Sequence, residues 1–394
     1  KLPYEGFPQK ESAAAVTYSP DGKLLAASWG VGVFIYNAKT GKLQAKGEAK
    51  TTLDSLHVLP KRPVLFGPIR DQPGIQVFNA ANGALLSTLK LPNHPDERRV
   101  ALSPQGDLFA VATTIPGGPE SRTIEVTLYD SAAGKSLRQT RLLKGLWTWD
   151  LAFSPDGNTI AFSHEDGVTV LKAADLSTVN NLRLDEKRPK AIAFSRDGKR
   201  LAVGYHKGPV KVWDLATGEL FDGFRSDDQR HQGLLFQDIA FSPDGKTLVL
   251  AGCDAEDVFE NQGRRYLAIL NAETGASVAD LSDQLTGHVR HVAFSPDGER
   301  LVTSSSGETA LAVWDVSAVS GQANDVRKDE PAKDPPAAKT RTWTSADGKF
   351  SVEAELLKSS EAAVRLKKSD GSVITVPKSK LSAADRAYLK QLGE

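Results

Sequence analysis

Seven histidines, His57, His94, His164, His206, His231, His288 and His291, are spread along 394 residues. A zinc site needs three or four ligands in defined geometry, and only His288 and His291 lie close together, so solvated or hydrogen-bonded imidazoles are expected and no metal. Asp254, Glu256, Asp257, Glu260 and Asn261 form an oxygen-rich loop, yet without the ligand spacing of a calcium loop; a hydrated acidic loop is the reading. There is no Gly-x-Ser-x-Gly elbow, no phosphate-binding glycine loop and no dinucleotide fingerprint. The single cysteine, Cys253, has no basic neighbour in sequence to activate it. No catalytic residue and no cofactor are therefore expected. The residues suited to recognition are aromatic or lie in a long loop: Trp147 and Trp149, which would share a side of an extended segment, then Asp254, Asp257, Phe259 and Arg264, and Trp343 near the C-terminal end. Packing between sheets is the competing role for the two neighbouring tryptophans.

The elements that must position these residues are set by a recurring hairpin. AFSPDG at Ala240–Gly245 returns as TYSPDG at Thr17, ALSPQG at Ala101, AFSPDG at Ala152 and Ala293, and AFSRDG at Ala193. A degraded copy, HVLPKRPVLFG, starts at His57. Two apolar residues end a strand, Ser accepts local hydrogen bonds, Pro presets φ, Asp suits the third turn position and Gly takes the left-handed one. Each copy is followed by a second apolar strand, then a third ending in Asn37, Asn79, Asp130, Asp214, Asn271 or Asp315. A further turn leads to a fourth. Each unit is a four-stranded antiparallel sheet, and seven units follow one another. Taking Ser as the marker and Pro60 in the degraded unit, the copies stand 41 to 53 residues apart, near the ~40–45 residues of a WD-repeat blade. These hairpins, with Trp213-Asp214 and Trp314-Asp315 ending third strands, resemble the WD40 family of β-propellers over about residues 1–316.

Lys1–Phe7, KLPYEGF, reads like the fourth strand ELFDGF at Glu219–Phe224. Because the seventh unit stops after its third strand, this segment is expected to complete the last blade and close the ring, leaving no exposed sheet edge. Extra length collects between strands two and three and between blades, connections that share one rim: IPGGPESR at Ile115, CDAEDVFENQGRR at Cys253 and RSDDQRHQGLLFQ at Arg225. The opposite face is expected to be plain. Loops on a rigid scaffold are the usual place for recognition. A rival reading, a lactonase-like propeller hydrolase or small-molecule binder, needs three or more ligating side chains at one channel mouth; the inner strands offer Asp150 and Asp238 at equivalent positions, with His291 displaced by one residue.

Composition narrows the class further. Forty-nine Lys and Arg balance 49 Asp and Glu, which removes bulk charge as an argument for nucleic-acid or anionic-membrane binding. No apolar run approaches the ~20 residues of a membrane helix, so no membrane insertion is expected. Methionine is absent, which a processed precursor would explain; an exported bacterial protein is the expectation for location.

From Ser320 to Thr340 the chain turns proline-rich, charged and almost devoid of apolar residues, a semi-extended linker. Residues 341–394 are compact again, with alternating strands around Val352/Ala354/Leu356, Val364/Leu366 and Val373/Thr375, and a final helix opened by the capping pattern Ser382-x-x-Asp385. RTW at Arg341, GKFSVEAE at Gly348–Glu355, LKKSDG at Leu366–Gly371 and VPKSKLSAAD at Val376–Asp385 resemble the Sla-homology domain of an endocytic adaptor, also present in planctomycete bacterial proteins. The resemblance implies a small SH3-like β-barrel and binding of short Asn-Pro-Phe-x-Asp peptides, although the position of the adaptor's peptide-contacting lysine is taken here by Val373. The expected molecule is all-β: a seven-bladed propeller over 1–319, a linker over 320–340 and the SH3-like domain over 341–394. It is a monomeric, non-enzymatic scaffold for protein or peptide partners rather than nucleic acid.

Overall fold

The computed structural model describes residues 15–322 and 341–391, apart from 61, 70–73, 92–97, 116–122, 132–133, 145–146, 184–187, 222, 225–232, 255–262 and 306–310 in the first stretch and 347–350, 360–362 and 369–372 in the second. The chain divides into two compact units, residues 1–323 and 324–394. The proposed closing strand Lys1–Phe7, residues 323–340 of the expected linker, the insertion after Ile115 and residues 225–232 lie outside the described residues; 320–322 end a helix, and Leu234–Gln237 of the expected insertion belong to the blade 6 inner strand.

The first unit is an all-β, seven-bladed propeller. Six sheets have four antiparallel strands in chain order, and the seventh has three among the described residues. The inner strands are Ala15–Tyr18, His57–Val58, Arg98–Leu102, Thr148–Phe153, Pro189–Phe194, Leu234–Phe241 and Val289–Phe294. Alternation along each strand sends side chains to both faces of a blade, and the apolar ones meet those of the next blade. The buried interior is accordingly seven separate clusters, one for each gap between neighbouring blades. The ring closes in the last of these, where Val302, Leu311 and Val313 of blade 7 pack on Val16, Tyr18, Leu25 and Tyr36 of blade 1. The Arg300 guanidinium adds a hydrogen bond to the Ala38 carbonyl at 2.5 Å.

The hairpin works as its residue types demand, with one addition. Ser154 Oγ accepts the Thr159 amide (2.9 Å) and donates to Asp156 Oδ1 (2.5 Å); the same pair recurs at Ser19/Asp21, Ser195/Asp197, Ser242/Asp244 and Ser295/Asp297. In blade 3, where Gln105 occupies the usual Asp position, Asp107 takes over at 2.7 Å from Ser103 Oγ. These hydrogen bonds hold the Asp21, Asp156, Asp197 and Asp297 carboxyls below the ordinary carboxylate range. The turn glycine has positive φ, +76° at Gly157 for example. The addition is lateral: Pro60, Pro155, Pro243 and Pro296 each lie against the turn glycine of the following blade, Gly106, Gly198, Gly298 and Gly22.

Register corrects the sequence reading at two points. The Leu59 amide bonds to the Val64 carbonyl as Ser19 bonds to Leu24, so Leu59, not Pro60, holds the marker position in blade 2. His291 pairs with Ser304 as Asp150 pairs with Ser163 and Asp238 with Ala251; it stands level with the two aspartates instead of one residue off. All three lie four residues before the hairpin serine, so counting back from the turn places them together; a register shift stands just upstream in each strand.

After blade 7 comes a short helix, α1 (Ser317–Gln322), which the repeat did not foreshadow. The second unit is an antiparallel sheet of four strands in chain order, Arg341–Thr344, Ser351–Ser359, Ala363–Lys368 and Val373–Pro377, followed by helix α2 (Ala383–Gln391). Its core gathers Trp343, Ala354, Val364, Leu366, Leu381 and Leu389. The cap is formed as expected: Ser382 Oγ accepts the Asp385 amide at 3.2 Å.

Candidate interaction site on the propeller rim

Four residues before the hairpin marker, near the loop-bearing end of the channel, the inner strands of blades 3, 4, 6 and 7 present Arg99, Asp150, Asp238 and His291. Asp150 accepts the Leu151 amide with Oδ1 (2.8 Å) and the Ile192 amide of blade 5 with Oδ2 (2.8 Å). Asp238 repeats this with Ile239 (2.9 Å) and Val292 of blade 7 (2.9 Å). Each carboxylate therefore clasps two adjacent blades. Arg99 Nε donates to the Trp149 carbonyl at 2.5 Å, joining blades 3 and 4, and His291 Nδ1 stands 3.6 Å from Asp238 Oδ2. Burial first, with the Asp238 charge also raising it, pushes the Asp150 carboxyl up to about 7. Burial likewise drives His57 down to about 4. Among the described residues no group of three or more His, Cys, Asp or Glu is placed to hold a metal. The polar ring at the channel mouth thus joins blade to blade.

The candidate residues from the sequence fall into distinct settings. Trp149 is half-buried on the blade 4 inner strand, with the Lys190 ammonium 4.1 Å from its ring centroid. Trp147 precedes that strand and is also half-buried; the register shift between Thr148 and Asp150 interrupts the alternation that would have put both rings on one side. Asp254 and Arg264 hold each other: the guanidinium meets Asp254 Oδ1 at 3.0 and 3.2 Å, and the Arg264 amide donates to Oδ2 at 2.9 Å. They pin the neck of the blade 6 insertion, whose Asp257 and Phe259 lie outside the described residues. Trp343 is 2% exposed, and its indole donates to the Ala354 carbonyl at 3.0 Å, which makes it core of the second unit instead of a surface anchor. Cys253 is buried, and Trp213 and Trp314 are buried in blade gaps.

Sequence reasoning passed over a basic group where blades 4, 5 and 6 meet: Arg188, Lys190, His206 and Lys207. Arg188 and Lys207 carry positive φ, +67° and +58°. Burial lowers the His206 pKa, and Lys190, Arg188 and Lys207 lower it further. Adjacent Pro189 and Gly208 were the only signals of irregular backbone there. The hairpin face is also less plain than expected. The degraded turn of blade 2 borders a cavity of about 370 Å³ lined by Leu59, Pro60, Arg62, Gln105, Asp107 and Asp130.

Comparison with known proteins assigns the class of both units. Residues 280–315 match the WD domain, G-beta repeat, and residues 331–394 match SLA1 homology domain 1 (SHD1). The chain is 31% identical over 112 residues to a WD repeat-containing protein, SL1-17, of Schistosoma mansoni, covering 28% of this chain and 35% of that protein. It is 33% identical over 125 residues to an uncharacterized WD repeat-containing protein, sll1491, of Synechocystis, covering 32% and 31% respectively. The chain thus spans about a third of the length of these two curated relatives. Its tail is 43% identical over 56 residues to the actin cytoskeleton-regulatory complex protein sla1 of Schizosaccharomyces pombe, covering 14% of this chain and 4% of that protein. The seven-bladed propeller thus carries a match to the WD repeat in its last blade, and the C-terminal stretch a match to SLA1 homology domain 1.

Proposed function

We propose that the protein is a non-enzymatic scaffold that binds protein or peptide partners on the loop-bearing rim of its propeller, acting as a monomer. The tail, in this reading, is an SH3-like barrel serving as a second peptide-binding module beyond a linker at 320–340. The observation that supports the reading is the double engagement of Asp150 and Asp238 in clasps between blades; among the described residues no converging set of ligands supports the rival hydrolase. Two recognition modules on one tether gain effective concentration when their partners share an assembly. The resemblance of the tail to a domain of a cytoskeleton-regulatory protein supports an adaptor role.

The test uses the full chain with a photo-crosslinking amino acid at Arg264, on the neck of the blade 6 loop, and in a second preparation at Arg386 on α2. Discrete protein adducts formed in extract of the source cells, and suppressed by excess unmodified chain, are expected. Absence of adducts at both positions, together with turnover of a lactone or phosphoester by the purified protein, would overturn the proposal.

A further inference from the structure

The basic group on the rim is held rigidly. Arg188 N–H donates to the Glu165 carbonyl of blade 4 at 3.1 Å, His206 N–H donates to the Arg188 carbonyl at 3.0 Å, and Lys207 N–H donates to the Leu234 carbonyl of blade 6 at 2.7 Å. His206 also pairs with Leu235 as an isolated bridge. Three blades are thus laced together by backbone beneath Arg188 and Lys207, both exposed, and Lys190 and His206, both half-buried. Trp149 borders the group, its ring facing the Lys190 ammonium at 4.1 Å. Among the described residues, the acidic ones beside it are Glu165 and Asp166, on the blade 4 turn to which Arg188 is bonded.

Two features set this group apart from an ordinary solvated surface. The left-handed backbone at Arg188 and Lys207 is strained for a residue with a Cβ, and glycine would adopt it with ease; Arg188 is further restricted by the Pro189 that follows it. Strained backbone of this kind concentrates at ligand clamps. After burial, Lys190, Arg188 and Lys207 also hold the His206 imidazole below its ordinary range, so among the described residues like charges gather on one hydrogen-bonded stretch of backbone.

We propose that this rim is the docking site for an acidic peptide segment of a protein partner, with Arg188, Lys190 and Lys207 pairing with its carboxylates and Trp149 contacting an apolar side chain between them. The inference rests on the scaffold reading and names the chemistry of its partner. A peptide fits better than a nucleic acid because the chain as a whole is charge-balanced, 49 against 49, and the basic group is confined to the junction of three blades, whereas a polyanion needs an extended basic track.

The test is fluorescence anisotropy of the full chain with three labelled probes: a peptide of about 12 residues, rich in Asp and Glu around one Phe, its Lys-rich counterpart, and a single-stranded DNA of equal charge. Saturable binding of the acidic peptide is expected, weakening as salt rises from roughly 50 to 300 mM. The double variant Arg188→Gly/Lys207→Gly should lose about tenfold in affinity, with a thermal midpoint unchanged or raised because glycine suits both backbones. Lys207→Glu should weaken binding further. Unchanged peptide affinity in the folded double variant would overturn the inference, as would tighter DNA binding through the same residues, which would assign the rim to nucleic acid. Failure of the acidic peptide while crosslinks still form at Arg264 removes this inference alone and leaves the scaffold reading standing.

Discussion

Asp150 accepts one amide from its own strand and another from the next blade, and burial pushes its carboxyl up to about 7. A carboxyl whose pKa is raised in the folded state binds a proton there that the unfolded chain has released, so it favours folding at low pH and disfavours it as pH climbs through the folded value. Between pH 4 and 7 its contribution falls. The hairpin aspartates act in the opposite direction, because lowered pKa values give stability that is present above the unfolded value and lost as pH falls. Asp150→Asn should therefore show a midpoint that, relative to the unsubstituted protein, rises steadily from pH 4 to pH 7. Thermal unfolding of both proteins across that range checks it; a constant offset would contradict it. Asp150 and Asp238 were visible in the sequence as a matched pair, but their partners were not, since a backbone amide of the neighbouring blade has no sequence signature. Arg188 and Lys207 were invisible for a related reason: nothing in an arginine or a lysine announces a left-handed φ.

Within the blades, small residues matter where two sheets approach by backbone. A Cβ built on Gly47 of blade 1 would stand 2.1 Å from the Gly83 carbonyl oxygen of blade 2, and one on Gly83 2.8 Å from the Gly47 nitrogen. Gly47→Ala should therefore force blades 1 and 2 apart and cost about 1–3 kcal/mol, read from urea unfolding; an effect below about 0.5 kcal/mol would show that the gap yields. Ser154→Ala removes both the acceptor for Thr159 N–H and the donor to Asp156 and should cost about 1–2 kcal/mol in the same measurement. The hairpin was legible wherever Ser, Asp and Gly all stand in it, because its turn chemistry is local and each acts within a few residues; the blade 2 marker, Leu59, and the blade 3 substitute, Asp107, were not. The contacts of Pro60, Pro155, Pro243 and Pro296 with the turn glycine of the following blade were not, because those partners are brought together only by the ring. That contact gives Pro60 a packing role in the blade whose turn has neither Ser nor Asp.

For the whole molecule, seven blades and a four-stranded tail form separate cores. In the tail the buried Asp385 carboxylate joins the Arg341 guanidinium (2.8 Å), the Thr344 amide (2.8 Å) and the Ser382 hydroxyl (2.8 Å). The Arg341 guanidinium in turn lies 3.9 Å from the Tyr388 ring. Asp385→Asn leaves that arginine without its counter-charge, and losing one member of a buried pair costs about 3–5 kcal/mol. Calorimetry of the full chain should show the transition of the tail displaced downward and that of the propeller unmoved; a shift of both would mean that the two units unfold together. The propeller was legible in outline from its repeat, and the tail from four short matches. Trp343 misled, because an aromatic beside a linker looks like an anchor until the strand it pairs with is seen to bury it.

The division of the interior into one core per gap has a bearing on descent. A protein with a single shared core must change in concert, since each substitution disturbs many neighbours; here a substitution within one gap first meets the two blades that line it. One hairpin can erode, as that of blade 2 has, and one rim can gather awkward cations, as that of blades 4 to 6 has, while the remaining gaps keep the ring intact. Such a ring can acquire a new partner at one junction without renegotiating the others.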